Sequence, residues 1–395
     1  MRFPEFSGEW ENSRLGFIAE FSKGSGISKD QRSETGNPCI LYGELYTRYK
    51  SEVIKNVISK TDLPDTELVK SKANDIIIPA SGETAEDIAT ARCVPYDNIL
   101  LGGDLNIIRL KNQDGRFFSY QLNGVRKYDI ATVAQGVSVV HLHAGDLKGI
   151  SVKYPSNMAE QRKIAEMISI IDDRIETQSK IIEELKTLRS GLSESLYYDC
   201  DSFQEMSFND VGECYSGLSG KSSEDFGSGY PFVPYTNIFA NDVIDENQFE
   251  YVQIREDESQ NTVHYGDLLM TLSSETPEEV GIGSVYLGSE SHLYLNSFAF
   301  GIHITRTDLV YPPYLSWLVS TKSFRKFILP FAQGSTRYNL QKTDFMKAKY
   351  RFPTLERQKT IYKLLSSYSS KIANEEKILD LYQFQKQGLL EQMFI

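Results

Sequence analysis

Ser81-Gly82-Glu83-Thr84 is written again as Ser273-Ser274-Glu275-Thr276, and each quartet begins six residues after an aspartate, Asp75 or Asp267. Around these quartets, residues 75–196 and 267–393 follow one plan. Ala134-Gln135-Gly136 returns as Ala332-Gln333-Gly334, and each triplet leads on to a leucine (Leu142, Leu340), an aspartate (Asp146, Asp344) and a proline (Pro155, Pro353). At an offset of 197, Gln161, Ile164, Ser169, Ile175, Lys180, Ile181, Gly191, Leu192 and Glu194 meet identical residues at Gln358, Ile361, Ser366, Ile372, Lys377, Ile378, Gly388, Leu389 and Glu391. A period this long is a whole domain plus a helix, not one turn of a solenoid.

Each copy ends in a helical pattern. Ile164, Ile168, Ile171, Ile175, Gln178, Ile182 and Leu185 step by alternating fours and threes, and the seam runs on through Arg189, Leu192 and Leu196. The matching set is Ile361, Leu365, Tyr368, Ile372, Glu375, Leu379 and Tyr382, followed by Lys386, Leu389 and Met393. This is heptad spacing, and both seams turn polar at the same two places. Pro155 and Pro353 stand just ahead, where a residue without an N–H is tolerated. Two single apolar stripes in one chain most simply bury each other.

The segments before the helices read as β-rich. Short apolar runs such as Ile76-Ile77-Ile78, Ile99-Leu100-Leu101, Leu268-Leu269-Met270 and Phe298-Ala299-Phe300 are separated by Gly, Asn, Asp and Ser turns. One further helix is expected over residues 313–331. The chain is therefore α+β: a first β-rich domain over residues 1–153, a helix within 154–200, a second β-rich domain over 201–350 and a second helix within 351–395.

Composition is that of a globular protein, 40% hydrophobic and 12% aromatic over 395 residues. The first residues lack a basic-then-apolar signal, and no apolar run approaches the roughly 20 residues that span a bilayer, so a cytoplasmic protein without membrane contact is expected. Cys39, Cys93, Cys200 and Cys214 form no Cys-x-x-Cys pair, and neither disulfide nor metal is expected. The net charge of −12 argues against indiscriminate binding to nucleic acid. It divides as −1 for residues 1–153, −3 for 154–200, −10 for 201–350 and +2 for 351–395. Within the most acidic segment, Lys322, Arg325, Lys326, Arg337, Lys342, Lys347 and Lys349 fall in one stretch interleaved with Phe324, Phe327, Phe331 and Tyr338. That stretch is either a solvated face or a nucleic-acid strip.

Motifs that suggest catalysis fail on their chemistry. Tyr311-Pro312-Pro313-Tyr314 resembles the tetrad of adenine-N6 methyltransferases, but that reaction needs an Asn, Asp or Ser oxygen in first place. Gly24-Ser25-Gly26 and Gly102-Gly103 lack the third glycine and following acid of a dinucleotide loop. In Pro64-Asp65-Thr66-Glu67-Leu68-Val69-Lys70, two residues instead of one separate Glu67 from Lys70, which breaks the nuclease pattern. His141 and His143 have no nearby sequence partners for a metal. The sequence does not argue for an enzyme.

Taken together, the duplicated β-rich domain and heptad helix, the Asp-led strand running into the Ser-Gly/Ser-Glu-Thr loop, the Ala-Gln-Gly turn and the Pro followed by Gln resemble the specificity subunit of type I restriction-modification systems. Phe3-Pro4-Glu5-Phe6, Trp10 and the turn from Gly24 to Lys29 are also similar to that family. The resemblance covers essentially the whole chain. It implies two target-recognition domains, each reading one half of a bipartite, asymmetric site in double-stranded DNA. It also implies an antiparallel helix pair acting as spacer within an internal pseudo-twofold. Two methyltransferase subunits holding S-adenosylmethionine would dock on the chain, and restriction subunits would join through them. The chain itself would carry no cofactor. A free-standing repressor would also be a duplicated DNA reader but should bind its operator tightly without partners; a coiled-coil scaffold would leave the polar loops unexplained.

Polarity, loop position and correspondence between the copies then nominate the residues facing DNA. In the first domain these are Lys29, Tyr46, Arg48, Lys50, Ser81, Glu83, Thr84, Ser138 and His141. In the second they are Lys221, Tyr235, Asn237, Ser273, Glu275, Thr276, Thr336, Arg337, Tyr338 and Asn339. Arg337 and Asn339 are the sharpest, because a guanidinium can be bidentate to guanine and an amide to adenine in the major groove. The competing reading for any of them is a turn residue bonded to its own backbone.

Overall fold

The structure is a computed structural model and describes residues 2–394 apart from Asp65, Glu67 and Asp201; two residues of the rejected nuclease-like stretch therefore lie outside the described residues. The chain divides into two compact units, Met1–Lys180 with Glu376–Ile395, and Ile181–Glu375. Each unit holds one β-rich domain and one end of each long helix.

In the first unit a four-stranded antiparallel sheet runs in the order Ala19–Lys23, Leu105–Leu110, Asp75–Pro79, Arg92–Val94. Its Asp75–Pro79 strand is buried at every position because both faces are covered. Successive side chains alternate faces. Ile76 and Ile78 thus join Phe117, Phe118 and Ile108 in one core, while Ile77 joins Ile40, Leu101 and Ile107 in another. A smaller sheet pairs Asn37–Ile40 antiparallel with Ser59–Thr61 and parallel with Leu100–Leu101. Finally Glu11–Arg14 pairs antiparallel with Ser151–Tyr154, so the chain enters and leaves the domain side by side.

The second unit repeats the scheme. Its four strands are Gly212–Ser216, Ala299–Ile304, Leu268–Thr271 and Gly283–Val285, with Leu268 and Met270 facing one core and Leu269 the other. Phe226–Val233 pairs with Glu250–Val252 and with Tyr294–Leu295, and Phe203–Ser207 pairs with Lys349–Pro353 to close the domain.

The long helices are Met158–Tyr198 and Leu355–Met393, 41 and 39 residues, or about 60 Å each. In the first unit Ile164, Ile168, Ile171 and Gln178 are buried, and Ile175, Leu379 and Tyr382 are half-buried; in the second Ile182, Ile361, Leu365 and Ile372 are buried, and Leu185, Tyr368 and Glu375 half-buried. No seam position is exposed. The helices run antiparallel within each unit. In the first, Lys386 Nζ lies 2.7 Å from Asp172 Oδ1 and the Arg174 guanidinium 5.9 Å from the Tyr382 ring. In the second, Arg189 donates to Ser369 Oγ at 2.9 Å and Arg357 to the Leu196 carbonyl at 3.4 Å.

The matched glutamines join domain to helix. Gln161 is buried, donates to the Pro155 carbonyl at 2.7 Å and accepts from the Asp114 N–H at 3.0 Å. Gln358 likewise donates to Pro353 at 2.8 Å and accepts from the Tyr311 N–H at 2.8 Å. The polar seam position Lys386 has a different setting from its counterpart Arg189. It is paired with both Glu52 and Asp172, and Asp172 also accepts from Tyr120 at 2.7 Å and Ser51 at 3.0 Å. Arg189 instead lies 5.2 Å from the Trp317 ring.

One expected helix is broken. Residues 313–331 form Pro312–Leu318, then Lys322–Ile328 and the 3-10 turn Leu329–Phe331. The Thr321 hydroxyl accepts from the Phe324 N–H at 3.1 Å and caps a new start, which a Ser-Thr pair favours over continuation. Among the described residues, no helix is long and apolar enough to cross a membrane.

Candidate nucleic-acid interface

Both copies of the Ser-Gly/Ser-Glu-Thr segment form the base of an exposed hairpin. In the first domain Ser81–Gly82 pairs antiparallel with Val140–His141, and Gln135 and His141 exchange backbone hydrogen bonds of 2.9 and 2.7 Å. The tip is Val137-Ser138-Val139, all exposed. In the second, Ser273–Ser274 pairs with Tyr338–Leu340, which folds back on Ala332–Gly334 and leaves Ser335-Thr336-Arg337 exposed at the tip.

The Ala-Gln-Gly triplet has a backbone reason. Gly136 and Gly334 take φ of +129° and +154°, and a Cβ on either would come 2.1 Å from the carbonyl oxygen of Val139 or Arg337. Only glycine fits this conformation and this close approach.

The other candidates divide into those on this edge and those withdrawn from it. Glu83, Thr84, Glu275 and Thr276 are exposed, and Thr84 also caps the Ala85–Ile88 helix by accepting from the Asp87 N–H at 3.1 Å. The Tyr46 hydroxyl lies against Gly82; burial, then neighbouring Tyr42, Asp87 and Glu83, raise it above its usual range. Tyr235 donates to the Ser273 carbonyl at 3.0 Å and its ring stacks on Phe239. His141 and Asn339 are exposed at equivalent strand positions and Tyr338 is half-buried beside Asn339. The Arg337 guanidinium sits 5.5 Å from the ring of Phe298, which is itself exposed. Phe298 was not singled out from the sequence, where an aromatic two residues after Asn296 reads as part of an apolar run.

Four nominated side chains are turned inward. Ser81 and Ser273 are buried. Asn237 is fully buried, donating to the Asp245 carbonyl at 2.9 Å and accepting from the Asp245 N–H at 3.1 Å. Lys221 donates to the Gln253 carbonyl at 2.6 Å and pairs with Glu258, its side chain almost wholly covered. Asn237 and Lys221 position loops, and burial leaves all four side chains little surface for a base. Lys29 is exposed on a 3-10 turn. Arg48 and Lys50 line an open groove of about 980 Å³ together with Asp172, Glu176 and Lys386, and Arg48 is paired with Glu44 at 3.2 Å.

The basic stretch of 322–349 is not a continuous strip. Arg325 donates to the carbonyls of Glu278, Val280 and Gly281 at 2.6 to 2.7 Å, and burial lowers its pKa from the usual guanidinium range. Phe324 is fully buried, and Phe327 and Phe331 pack with it on Phe345, so these aromatics are core and not a stacking platform for bases. Lys322, Lys326, Lys347 and Lys349 are exposed.

The model of the type I restriction modification DNA specificity domain matches this chain twice, over residues 7–187 and 201–381. The chain belongs to that family. Each matched segment of this specificity-family chain takes in one β-rich domain, its hairpin and most of the helix that follows. Among relatives, a type I restriction enzyme specificity subunit (MjaVIII) from Methanocaldococcus jannaschii is 22% identical over 402 aligned residues, spanning 95% of this chain and 89% of that protein. A crystal structure of the type I restriction-modification S subunit from M. genitalium superposes with a TM-score of 0.59 at 16% identity, covering 100% of this chain and 99% of that one. A chain from a study of type I R-M complex assembly and conformational transition gives 0.61 at 14% identity, covering 99% and 98%. At such identities these structures establish the shared fold, two tandem domains of mixed helix and sheet.

Proposed function

We propose that this chain is the DNA-reading subunit of a type I restriction-modification complex and that each β-rich domain reads one half of a bipartite, asymmetric site. The observation that carries this is the repeated hairpin. Its strand pairing and its positive-φ glycine are the same in both domains, while the tips differ, Val137-Ser138-Val139 against Ser335-Thr336-Arg337. A fixed mount with a variable tip suits an address read through the major groove, where side-chain donors and acceptors distinguish all four base pairs.

Partner docking belongs to the long helices. Beyond the seam, Ile378, Leu381 and Phe384 are exposed in the first unit and Ile181 and Leu188 in the second, apolar groups that a helical partner would cover. Two methyltransferase subunits holding S-adenosylmethionine are the proposed occupants, with restriction subunits joining through them, and this chain supplies address, not chemistry. The helix pair sets the unread gap between half-sites.

The test is co-expression with the methyltransferase subunits of the same system, followed by a map of modified bases in the host genome. One interrupted motif should appear, and it should be absent when this chain is omitted. Methyl transfer by the isolated chain, or tight operator-like binding without partners, would overturn the reading. Inserting four residues near Lys180 and near Lys377 adds about 6 Å to each helix. Both half-sites should survive in a folded variant while the gap grows by about one or two base pairs of roughly 3.4 Å.

A further inference from the structure

Asp75 and Asp267 mark the start of the repeat and occupy the same place in the two domains, yet their partners differ. Asp75 is buried and receives the Arg109 guanidinium in bidentate fashion at 2.7 and 2.8 Å. Strand register pairs Ile76 with Ile108 and Leu268 with Ile302, which puts Arg109 and His303 in equivalent positions beside their aspartates. The residue three before each aspartate donates its backbone N–H to the carboxylate, Lys72 at 2.8 Å and His264 at 2.9 Å. Where the first domain has Arg109 and Lys72, the second therefore has two histidines.

The Asp267 carboxylate is fully buried. Its Oδ1 lies 2.7 Å from His303 Nδ1, and its Oδ2 lies 3.9 Å from His264 Nδ1. The Tyr215 hydroxyl donates to Oδ2 at 2.6 Å. Among the described residues the ion partners of Asp267 are these two histidines alone. Ligand atoms from His264, Asp267 and His303 all lie within 4.8 Å of one another. Both imidazoles are about half exposed, so the side of the cluster away from Asp267 is open to water. The His264–Asp267 turn is fixed by the Asp267 N–H to His264 carbonyl bond of 3.1 Å and by Gly266 at φ +91°.

We propose that His264, Asp267 and His303 bind a borderline divalent transition metal, zinc being the reference ion, which takes in the second domain the place that a guanidinium takes in the first. Two imidazoles and one carboxylate, with an outer position left for water, are a donor set of the right hardness and number for this class of ion. Tyr215 and the His264 N–H hold the carboxylate in place from behind, as outer hydrogen bonds do in established metal sites. On binding, the metal replaces the proton between His303 Nδ1 and Asp267 Oδ1. With metal–ligand bonds of about 2.0–2.2 Å, those two atoms must separate by several tenths of an ångström, which a half-exposed ring on a strand can accommodate. The ion joins the turn to the neighbouring Ala299–Ile304 strand and braces the central sheet of this domain alone.

The full chain, stripped with chelator and dialysed, should take up about one equivalent of Zn²⁺ in calorimetry. Co²⁺ should give a ligand-field absorption band in the visible, and thermal unfolding should shift upward with added Zn²⁺. His264→Ala, which removes an exposed ring, should weaken uptake at least about tenfold. His303→Arg rebuilds the pair of the first domain, so it should fold as well as the metal-loaded parent, lose the Co²⁺ band and no longer respond to Zn²⁺. His143→Ala, which removes an exposed ring in the first domain, should leave uptake unchanged. Failure of Zn²⁺, Ni²⁺ and Co²⁺ alike to bind the parent would overturn the proposal, as would binding that survives both His264→Ala and His303→Arg.

Discussion

The hairpin at residues 135–141 and the hairpin at 333–339 have one backbone and two surfaces. Both are anchored by the serine-led strand, both turn on a glycine at positive φ, and both return to a leucine at the same register. At the tip, however, Val139 stands where the second domain has Arg337, and His141 where it has Asn339. Backbone geometry is what the duplication preserved, and solvent-facing chemistry is what it released. A part whose shape is held by hydrogen bonds between main-chain atoms can change its side chains without changing its aim.

The strongest challenge to that separation lies in the shared scaffold. Replacing Lys386 with Met strands Glu52 and Asp172 in a buried setting, and should cost about 3–5 kcal/mol. Arg189→Met at the equivalent seam position abandons, among the described residues, the Ser369 hydroxyl and the Trp317 ring, and should cost about 1 kcal/mol. Denaturant unfolding of both variants measures the gap. If the modified motif changes its bases in a variant that remains folded, scaffold and address are not separable.

A valine at Gly334 or Gly136 attacks the mount itself. Strain at positive φ costs about 1–3 kcal/mol, and the 2.1 Å approach to a carbonyl adds to it. Each variant should lose modification through its own half-site while the chain as a whole stays folded, as seen by circular dichroism and by methylation of matched DNA substrates. Equal loss whichever half-site is altered would break the assignment of one hairpin to one half.

At the tips the two domains should diverge. Arg337→Ala should lower modification by about 1–3 kcal/mol, roughly 5- to 150-fold, and relax preference at one base pair of the second half-site. Val139→Ala, its counterpart, should change the rate less than about threefold because no base-edge hydrogen bond is lost. Competition assays over single-base variants of the site would sharpen or erase this contrast. The smallest effect is expected from Lys221→Ala, whose partners are Gln253 and Glu258 within its own domain; it should alter stability modestly and leave base preference unmoved.

The long helices were legible because a seam of fixed period announces itself locally, and every seam position from Ile164 to Leu196 and from Ile361 to Met393 is at least half-buried. The strands were legible for the same reason, as Ile76 to Ile78 shows. Side-chain fate was not. Asn237 and Lys221 look like loop polar groups in sequence and are consumed by Asp245, which the turn after the Tyr235–Ala240 helix folds back, and by Glu258, which only the tertiary fold brings near. The phenylalanines between the lysines of 322–349 follow helical spacing toward a core, and a run of charges around them hides that direction. Asp267 was visible as a marker of the repeat, but its meeting with His303 depends on strand register, which no local pattern states.

Each recognition domain begins on one strand of a pair and ends on the other, Glu11–Arg14 beside Ser151–Tyr154 and Phe203–Ser207 beside Lys349–Pro353. A segment that enters and exits at one edge is a cassette. Its core is nonetheless completed by the helices, through Ile164, Ile168 and Leu390 in the first domain and Ile361 and Leu365 in the second, so an exchanged domain must bring a matching face and a backbone N–H for Gln161 or Gln358. On the proposed reading, exchange of one whole domain at these paired strands would change one half of the site and leave the pairing of the helices as it is.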